Sequence, residues 1–440
     1  MQYTVRSIKK KFVRCVKEVG DTPWLYTKNP EKDFTRNRKL TFEKMISLIL
    51  CIRGGSLTNE LLDCFKFNPD TPTTSAFVQQ RLKILPKAFE SVFHKLNNTF
   101  PLQKKYKGYN LIAVDGSDLH IPTDINDKET YFPGRNGQKP YNLLHLNAAY
   151  DLCNNRFIDA IVQKSKNEHK AFVDMVDRLD ISKTIFIADR NYESYNNMAH
   201  VQEKDYKFLI RIKDINSTGI ASGLSLPDKD EFDLPLHLLL TRQKSRERES
   251  CSTDKIRYKV LSNSSPFDYL PKRSNKAITI TPYELFTRIV RFKISDDSYE
   301  MVITNLTEDE FSSDEIKALY ALRWGIETSF RDLKYTVGLL YFHTKKVECI
   351  IQEIFAQLTM YNFTQMIVAT VSIQQKKRTH SYKVNFSAAA HICRQYLRIN
   401  IPPPEVEALI LKHIVPIRPH RNQRRQMTTK TVVSFMYRIA

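Results

Sequence analysis

The chain has 440 residues, too many for one compact core, since domains usually hold about 100 to 200 residues. Hydrophobic residues make up 42% and charged residues 26%, an ordinary globular balance that excludes wholesale disorder. Lys+Arg number 68 against 48 Asp+Glu, and the net +20 points to a polyanionic partner. The 11 glycines form neither G-x-G-x-x-G nor G-x-x-x-x-G-K-[ST], which removes the signatures of a Rossmann dinucleotide site and a P-loop NTPase. The 7 cysteines stand singly without a C-x-x-C, against a thiolate zinc site or a disulfide framework and for a reducing cytosol. Lys9, Lys10 and Lys11 have no apolar core behind them, so no signal peptide is expected. The most apolar stretch, Ile351 to Ile373, is interrupted by Gln352, Glu353, Gln357, Asn362 and Gln365, and is not expected to span a membrane.

The charge is unevenly placed. Residues 1–100 carry 18 Lys+Arg and 9 Asp+Glu, and residues 374–440 carry 13 Lys+Arg against Glu405 and Glu407 alone. The middle of the chain is left neutral. Basic ends can serve solubility, but two of them fit phosphate neutralisation on a nucleic acid better.

In chain order, residues 38–97 read as helices. Leu40, Met45, Leu48, Ile49 and Ile52 recur at helical spacing, and Gly54-Gly55 stops the run. Ser56 to Phe65 and Thr74 to Leu85 follow as short helical patterns, separated by Asn68-Pro69-Asp70 and Pro72. Thr73, Thr74, Ser75, Gln79, Gln80 and Arg81 at a helix start fit either a helix-turn-helix-like DNA reader or a plain helical bundle. The pattern changes at Leu111-Ile112-Ala113-Val114, a short buried strand running into Asp115-Gly116-Ser117. Strands Leu143 to Tyr150 and Phe157 to Val162 are joined by an Asn154-Asn155 turn. A helix over Glu168 to Leu179, a strand Thr184 to Ala188 ending at Asp189, a helix Tyr192 to Glu203 and a strand Tyr206 to Ile212 complete the series. Three strands, helix, strand, helix, strand is the order of a ribonuclease-H-like layer. Residues 214–298 are polar with broken apolar runs and read as a β-rich insertion, closed by a hairpin of Ile289 to Ile294 with Tyr299 to Asn305 around Ser295 to Ser298. A helix capped by Ser312, with Glu315 three residues on, follows as a capping box.

On that helix, at about 100° per residue, Tyr320, Arg323, Glu327 and Lys334 fall within an arc of roughly 60°. Leu322, Ile326, Phe330 and Leu333 form its core face. Taken alone, such a stripe is a set of weak surface ion pairs, and Asp115 and Asp189 taken alone are strand-end caps.

Together, Y-x2-R-x3-E-x6-K, Val114-Asp115-Gly116-Ser117 and Ile187-Ala188-Asp189-Arg190-Asn191-Tyr192 resemble the DDE transposases of bacterial insertion sequences. More narrowly they resemble the large family with a Tyr-Arg-Glu-Lys signature and a β-strand insertion before the glutamate. The resemblance runs through nearly the whole chain. Ser75 to Arg81 resembles the family's N-terminal region, and Pro416 to Arg421 with Phe435 to Arg438 its tail. Position 191 is Asn where the family often has Gly, and Asn tolerates a left-handed turn. The insertion lacks Trp, so any flipped-base role within it falls to Phe267, Tyr269 or Tyr283.

The resemblance implies an α/β fold: a ribonuclease-H-like catalytic core with a β-rich insertion, flanked by helical N-terminal and C-terminal regions. The expected limits are a helical DNA-binding domain over 1–100, the first part of the core over 101–213, the insertion over 214–305, a catalytic helix over 306–345 and a basic helical region for dimerisation or DNA contact over 346–440. Asp115, Asp189 and Glu327 are implied as catalytic metal ligands, and Tyr320, Arg323, Lys334 and Arg190 as DNA contacts. Hard carboxylate oxygens suit Mg²⁺, with Mn²⁺ able to substitute. Two such ions support in-line displacement at phosphorus. The implied activity is metal-dependent cleavage and strand transfer at insertion-sequence ends, by cut-and-paste. The partner is double-stranded DNA, both terminal inverted repeats and target, bound by a homodimer in the bacterial cytoplasm at the nucleoid, with no membrane. Another ribonuclease-H-like nuclease, or a decayed transposase that acts as a DNA-binding protein, are the alternatives. His120, His145, His169 and His343 show no zinc-type spacing and receive no role. Phe355, Tyr361 and Phe363, on a helix over Ile350 to Ile373, read either as an exposed dimer surface or as core.

Overall fold

Thr4, Thr41, Ser56 and Thr73 each accept a backbone N–H at a helix start, and these caps set out the N-terminal helices α1 (Val5–Gly20), α2 (Phe42–Cys51), α3 (Leu57–Cys64) and α4 (Thr74–Arg81). A further helix, α5 (Lys87–Thr99), leads to the sheet. The computed structural model describes residues 3–36, 38–52, 54–134, 139–215, 217–243, 256–272, 281–296, 298–373, 380–398 and 401–417. The tail motifs over 418–421 and 435–438, and position 297 of the hairpin turn, lie outside the described residues.

Helix α1 was not expected from the sequence. Its buried Val5, Ile8, Phe12, Cys15, Val16 and Val19 do follow helical spacing, but lysines interleave them. In α4, Arg81 is no reader of DNA. It is buried and donates to the Gln352 side chain at 2.9 Å, the Glu353 carboxylate at 2.7 Å and the Cys349 carbonyl at 2.6 Å.

The central strand β1 (Asn110–Ile121) begins with the apolar run read from sequence but continues seven residues beyond Val114. It pairs antiparallel with β3 (Tyr141–Asp151) and parallel with β5 (Thr184–Ala188). On the far side of β3 lie β4 (Arg156–Gln163) and the short β2 (Tyr131–Phe132). On the far side of β5 lies the parallel β6 (Lys207–Ile212). The order β4-β3-β1-β5-β6 is ribonuclease-H-like. Helices α6 (Glu168–Arg178) and α7 (Tyr195–Glu203) cover one face, with Phe172, Met175 and Met198 packed against Ile112, Val114, Phe186 and Phe208.

The β-rich stretch after residue 213 supplies β7 (Phe232–Thr241), β8 (Ile256–Val260), β9 (Tyr283–Ser295) and β10 (Ser298–Thr304). These strands do not form a separate sheet. β10 pairs antiparallel with β6, and the sheet runs on as β6-β10-β9-β7-β8. The expected hairpin is longer at its start, because Tyr283 to Thr287 pair with β7.

After β10 come α8 (Ser313–Ala321), with the expected Ser312–Glu315 capping box, and α9 (Trp324–Arg331). A π-helical turn, Asp332–Val337, ends at Gly338 with φ +103°. Helix α10 (Val347–Val368) is buried along nearly its whole length, followed by α11 (Phe386–Arg398) and α12 (Pro403–Lys412). A short ribbon of β11 (Tyr382–Val384) and β12 (Ile414–Pro416) joins them.

Phe355, Tyr361 and Phe363 are core, not an exposed dimer face. Phe363 packs on Phe12 at 4.6 Å, Phe355 faces Phe93 at 6.0 Å and Tyr361 meets Phe157 at 4.9 Å. The polar residues of α10 are buried too, and they are bonded: Gln352 to the Ile84 carbonyl, Glu353 to Arg81 and Asn362 to the Phe157 carbonyl. The N-terminal helices, α10 and α11 thus share one hydrophobic core on the sheet face opposite α6. Every described cysteine is free. No described helix is long and apolar enough to cross a membrane.

Candidate active site

The parallel rungs between β1 and β5 end at Val114 and Ala188. Asp115 and Asp189 are the next residue on each strand, so the two carboxylates leave the sheet side by side. Asp115 does not end its strand as expected: β1 runs on, paired only with β3, and its edge facing β5 is open from there. The Asp115 side chain accepts the Gly116 N–H at 2.8 Å. Burial, with the charges of Asp189 and Glu327, pushes this carboxyl up to about 7, against the pull of the Gly116 N–H and Arg323. Asp189 caps a 3-10 turn, Arg190–Tyr192, by accepting the Asn191 N–H at 2.9 Å. Asn191 therefore sits in a right-handed turn, and no left-handed backbone is required of it. Arg190 is exposed beside it.

The helix bearing the Tyr-Arg-Glu-Lys string is not one regular helix. Between α8 and α9 the backbone is αR but bonds in i→i−3 steps, Arg323 to Tyr320 and Ile326 to Arg323. This tighter turn rotates Leu322 out to 45% exposure, although Ile326, Phe330 and Leu333 keep the expected core face. It also turns Arg323 inward. The buried Arg323 donates to Glu327 at 2.9 Å and lies 5.7 Å from the Tyr320 ring. Tyr320 is buried too, and burial pushes its phenol to about 12. Lys334 falls in the π-helical turn and donates to the Asp118 carbonyl of β1 at 3.1 Å.

So Asp115, Asp189 and Glu327 are drawn within one electrostatic neighbourhood, Arg323 is bound to Glu327, Lys334 reaches β1 and Arg190 faces solvent. Among the described residues no three His, Cys, Asp or Glu side chains close into a metal cage. The insertion aromatics are engaged elsewhere. Phe267, Tyr269 and Tyr283 pack on one another, Tyr269 bonding to His200 at 3.1 Å and Tyr283 to Glu203 at 2.8 Å. An exposed aromatic on the same segment is Trp324, 53% exposed and 5.1 Å from the Arg323 guanidinium.

Sequence reasoning missed four neighbours. Glu168, at the start of α6, comes close to Gly116. Asn147 is paired across from Gly116 on β3. The Tyr192 ring is buried behind Asp189. His145 Nδ1 bonds to Asp118 at 2.6 Å. Tyr192 lay within a quoted motif, but nothing in the spacing joins Glu168 or Asn147 to residue 116.

A family profile described as a transposase DDE domain matches residues 106–363, more than half of the chain. The chain belongs to that family. No curated protein matches it. Among solved structures it is similar to a piggyBac transposase synaptic complex with hairpin DNA, determined by cryo-EM. The two share 10% identity and a TM-score of 0.44, over 97% of this chain and 88% of that one. The DDE transposase domain takes in Asp115, Asp189 and Glu327 and ends within α10. DDE transposases use divalent metal ions, and the donor set here fits one. Asp115 and Asp189 stand side by side past the last rung of their strands, and their hard carboxylate oxygens are ligands for such a cation.

Proposed function

We propose that this chain is an active transposase that cuts and joins DNA strands at insertion-sequence ends in a cut-and-paste reaction. The observation that supports the reading is the placement of Asp115 and Asp189 side by side, one residue past the last rung of their paired strands, with the charge of Glu327 acting on the same Asp115 carboxyl. Asp115, Asp189 and Glu327 would hold Mg²⁺, or Mn²⁺ in its place. Such an ion, when bound, supplies Lewis-acid activation of the attacking hydroxyl and stabilisation of the leaving oxygen. The chain's own residues do the positioning. Arg323 fixes one oxygen of Glu327 from beneath. Tyr320 packs beside Arg323 and limits its rotation. Arg190, exposed beside Asp189, and Lys334 take the phosphates of the strand entering the site. Lys32, Arg36, Arg38 and Lys83 line a groove in the N-terminal layer, which supports that region as the holder of the terminal repeat. The protein acts as a homodimer bridging two DNA ends, at the bacterial nucleoid. Since α10 is spent on the core, the dimer surface lies elsewhere.

The test is cleavage of DNA carrying the inverted repeats that flank the coding region, with Mg²⁺, by the wild type and by Asp115→Ala, Asp189→Ala and Glu327→Ala. Cleavage at the repeats by the wild type alone, with binding retained in all variants, is expected. Metal-dependent cutting indifferent to the repeats would replace the reading with another ribonuclease-H-like nuclease. Binding without any cleavage would leave a DNA-binding protein.

A further inference from the structure

Gly116 has no side chain for a reason visible in its surroundings. A Cβ at that position would fall 2.7 Å from the Glu168 Oε1 and 3.3 Å from the Asn147 Oδ1. Alternation along β1 sends Asp115 toward the α9 face and position 116 toward α6. The missing side chain thus opens a notch on the α6 side, and Glu168 enters it. At residue 116 this edge of the strand no longer pairs with β5, whose rungs end at Ala188. Groups on the two faces of β1 can therefore meet around that edge.

Two further polar groups are buried on the α6 face of the sheet. Tyr192 is 1% exposed, and its hydroxyl has no hydrogen-bond partner among the described residues. Burial, then the charges of Asp115, Glu168 and Asp189, hold this phenol well above its usual range, so the hydroxyl remains a donor. Asn147, also 1% exposed, donates to Gln163 at 3.1 Å, but its Oδ1 beside the notch has no partner among the described residues. A buried donor and a buried acceptor left open beside carboxylates are what an ordered layer of water or a hydrated ion would satisfy. Lys166 holds Glu168 from the solvent side at 3.1 Å.

We propose that Glu168 is a positioning residue of the cation site: through the notch at Gly116, together with the Tyr192 hydroxyl, it supports the water shell of an ion held by Asp115 and Asp189. The inference rests on the metal-dependent reading given above. Outer groups of this kind orient ligands and bound water, and their loss costs about 10- to 100-fold in metal affinity.

The test is Mn²⁺ binding to the full chain without DNA, by calorimetry, for the wild type, Asp115→Asn, Glu168→Gln, Tyr192→Phe and Gly116→Ala. Glu168→Gln keeps volume and shape, so a packing role alone would leave affinity unmoved. In Gly116→Ala the new methyl meets the far end of a flexible side chain, so it displaces Glu168 while the metal-free melting temperature stays near wild type. Expected are loss of binding in Asp115→Asn, a weakening of about 10- to 100-fold in Glu168→Gln and Gly116→Ala, and a smaller one in Tyr192→Phe. Wild-type affinity in Glu168→Gln, with binding lost in Asp115→Asn, overturns the inference and leaves the metal reading standing. Equal affinity in the wild type and Asp115→Asn, or none in either, overturns both.

Discussion

Asp115 and Asp189 each stand one residue past the last rung joining their two strands, Val114 with Ala188. Parallel pairing brings them abreast, and the end of pairing leaves both carboxylates free of the ladder. Their mutual charge, added to burial, is part of why Asp115 holds its proton to about pH 7. A carboxyl raised in the fold binds protons more tightly than in the unfolded chain. Its contribution to stability is therefore present at low pH and lost as pH rises from about 4 to about 7. Metal-free Asp115→Asn is expected to melt above the wild type at pH 8 and to show a flatter pH profile. Mn²⁺ affinity of the wild type should fall roughly tenfold per unit below pH 7, because the ion must displace that proton. A pH-independent affinity would contradict this.

Lys334 reaches the Asp118 carbonyl from the π-helical turn. If its ammonium also holds the scissile backbone, Lys334→Ala should slow cleavage about a hundredfold. The salt slope of DNA binding should fall by roughly one unit, and Mn²⁺ affinity should not fall. An unchanged rate and slope would reduce Lys334 to a tether between the turn and β1.

Trp324 offers an open aromatic face three residues before Glu327. Trp324→Ala should leave stability within about 0.5 kcal/mol, and should weaken end binding by about 1–3 kcal/mol if a base stacks there. Binding equal to wild type in a gel-shift titration would show the face unused.

The Arg81–Glu353 pair joins α4 to α10 in the core. Arg81→Ala leaves a buried carboxylate without its cation and should cost about 3–5 kcal/mol in urea unfolding. Phe363→Ala should cost a similar 3–5 kcal/mol. Neither should change the DNA affinity of the folded protein or its oligomeric state, as measured by sedimentation. A change in oligomeric state with Phe363→Ala would restore the dimer-face reading of α10.

The catalytic layer was legible because its signals are local. Leu111 to Val114, Thr184 to Ala188 and the Ser312 cap each declare an element within a few residues, although the strand of Asp115 runs on past it. What escaped depends on tertiary context. The inward turn of Arg323 follows from a 3-10 link that no spacing announces, and it converts a surface stripe into a buried ion pair. The aromatics of α10 looked available because their partners, Phe12 and Phe93, lie more than two hundred residues away. Glu168 was overlooked because its link to the site is an absent side chain at residue 116.

The sharing of one core by α1, α2, α5 and α10 bears on how the protein is made. Lys9 of α1 donates to the Tyr396 carbonyl, and Arg398 holds Glu60 at 2.6 Å. Roughly 330 residues must emerge between α1 and α10, on the order of 20–60 s at about 5–20 residues per second. Through that interval Phe12 and Phe93 lack their ring partners on α10, Phe363 and Phe355. The N-terminal layer therefore cannot complete its packing ahead of the C-terminal one: a chain that stops before α10 leaves both without the core they share.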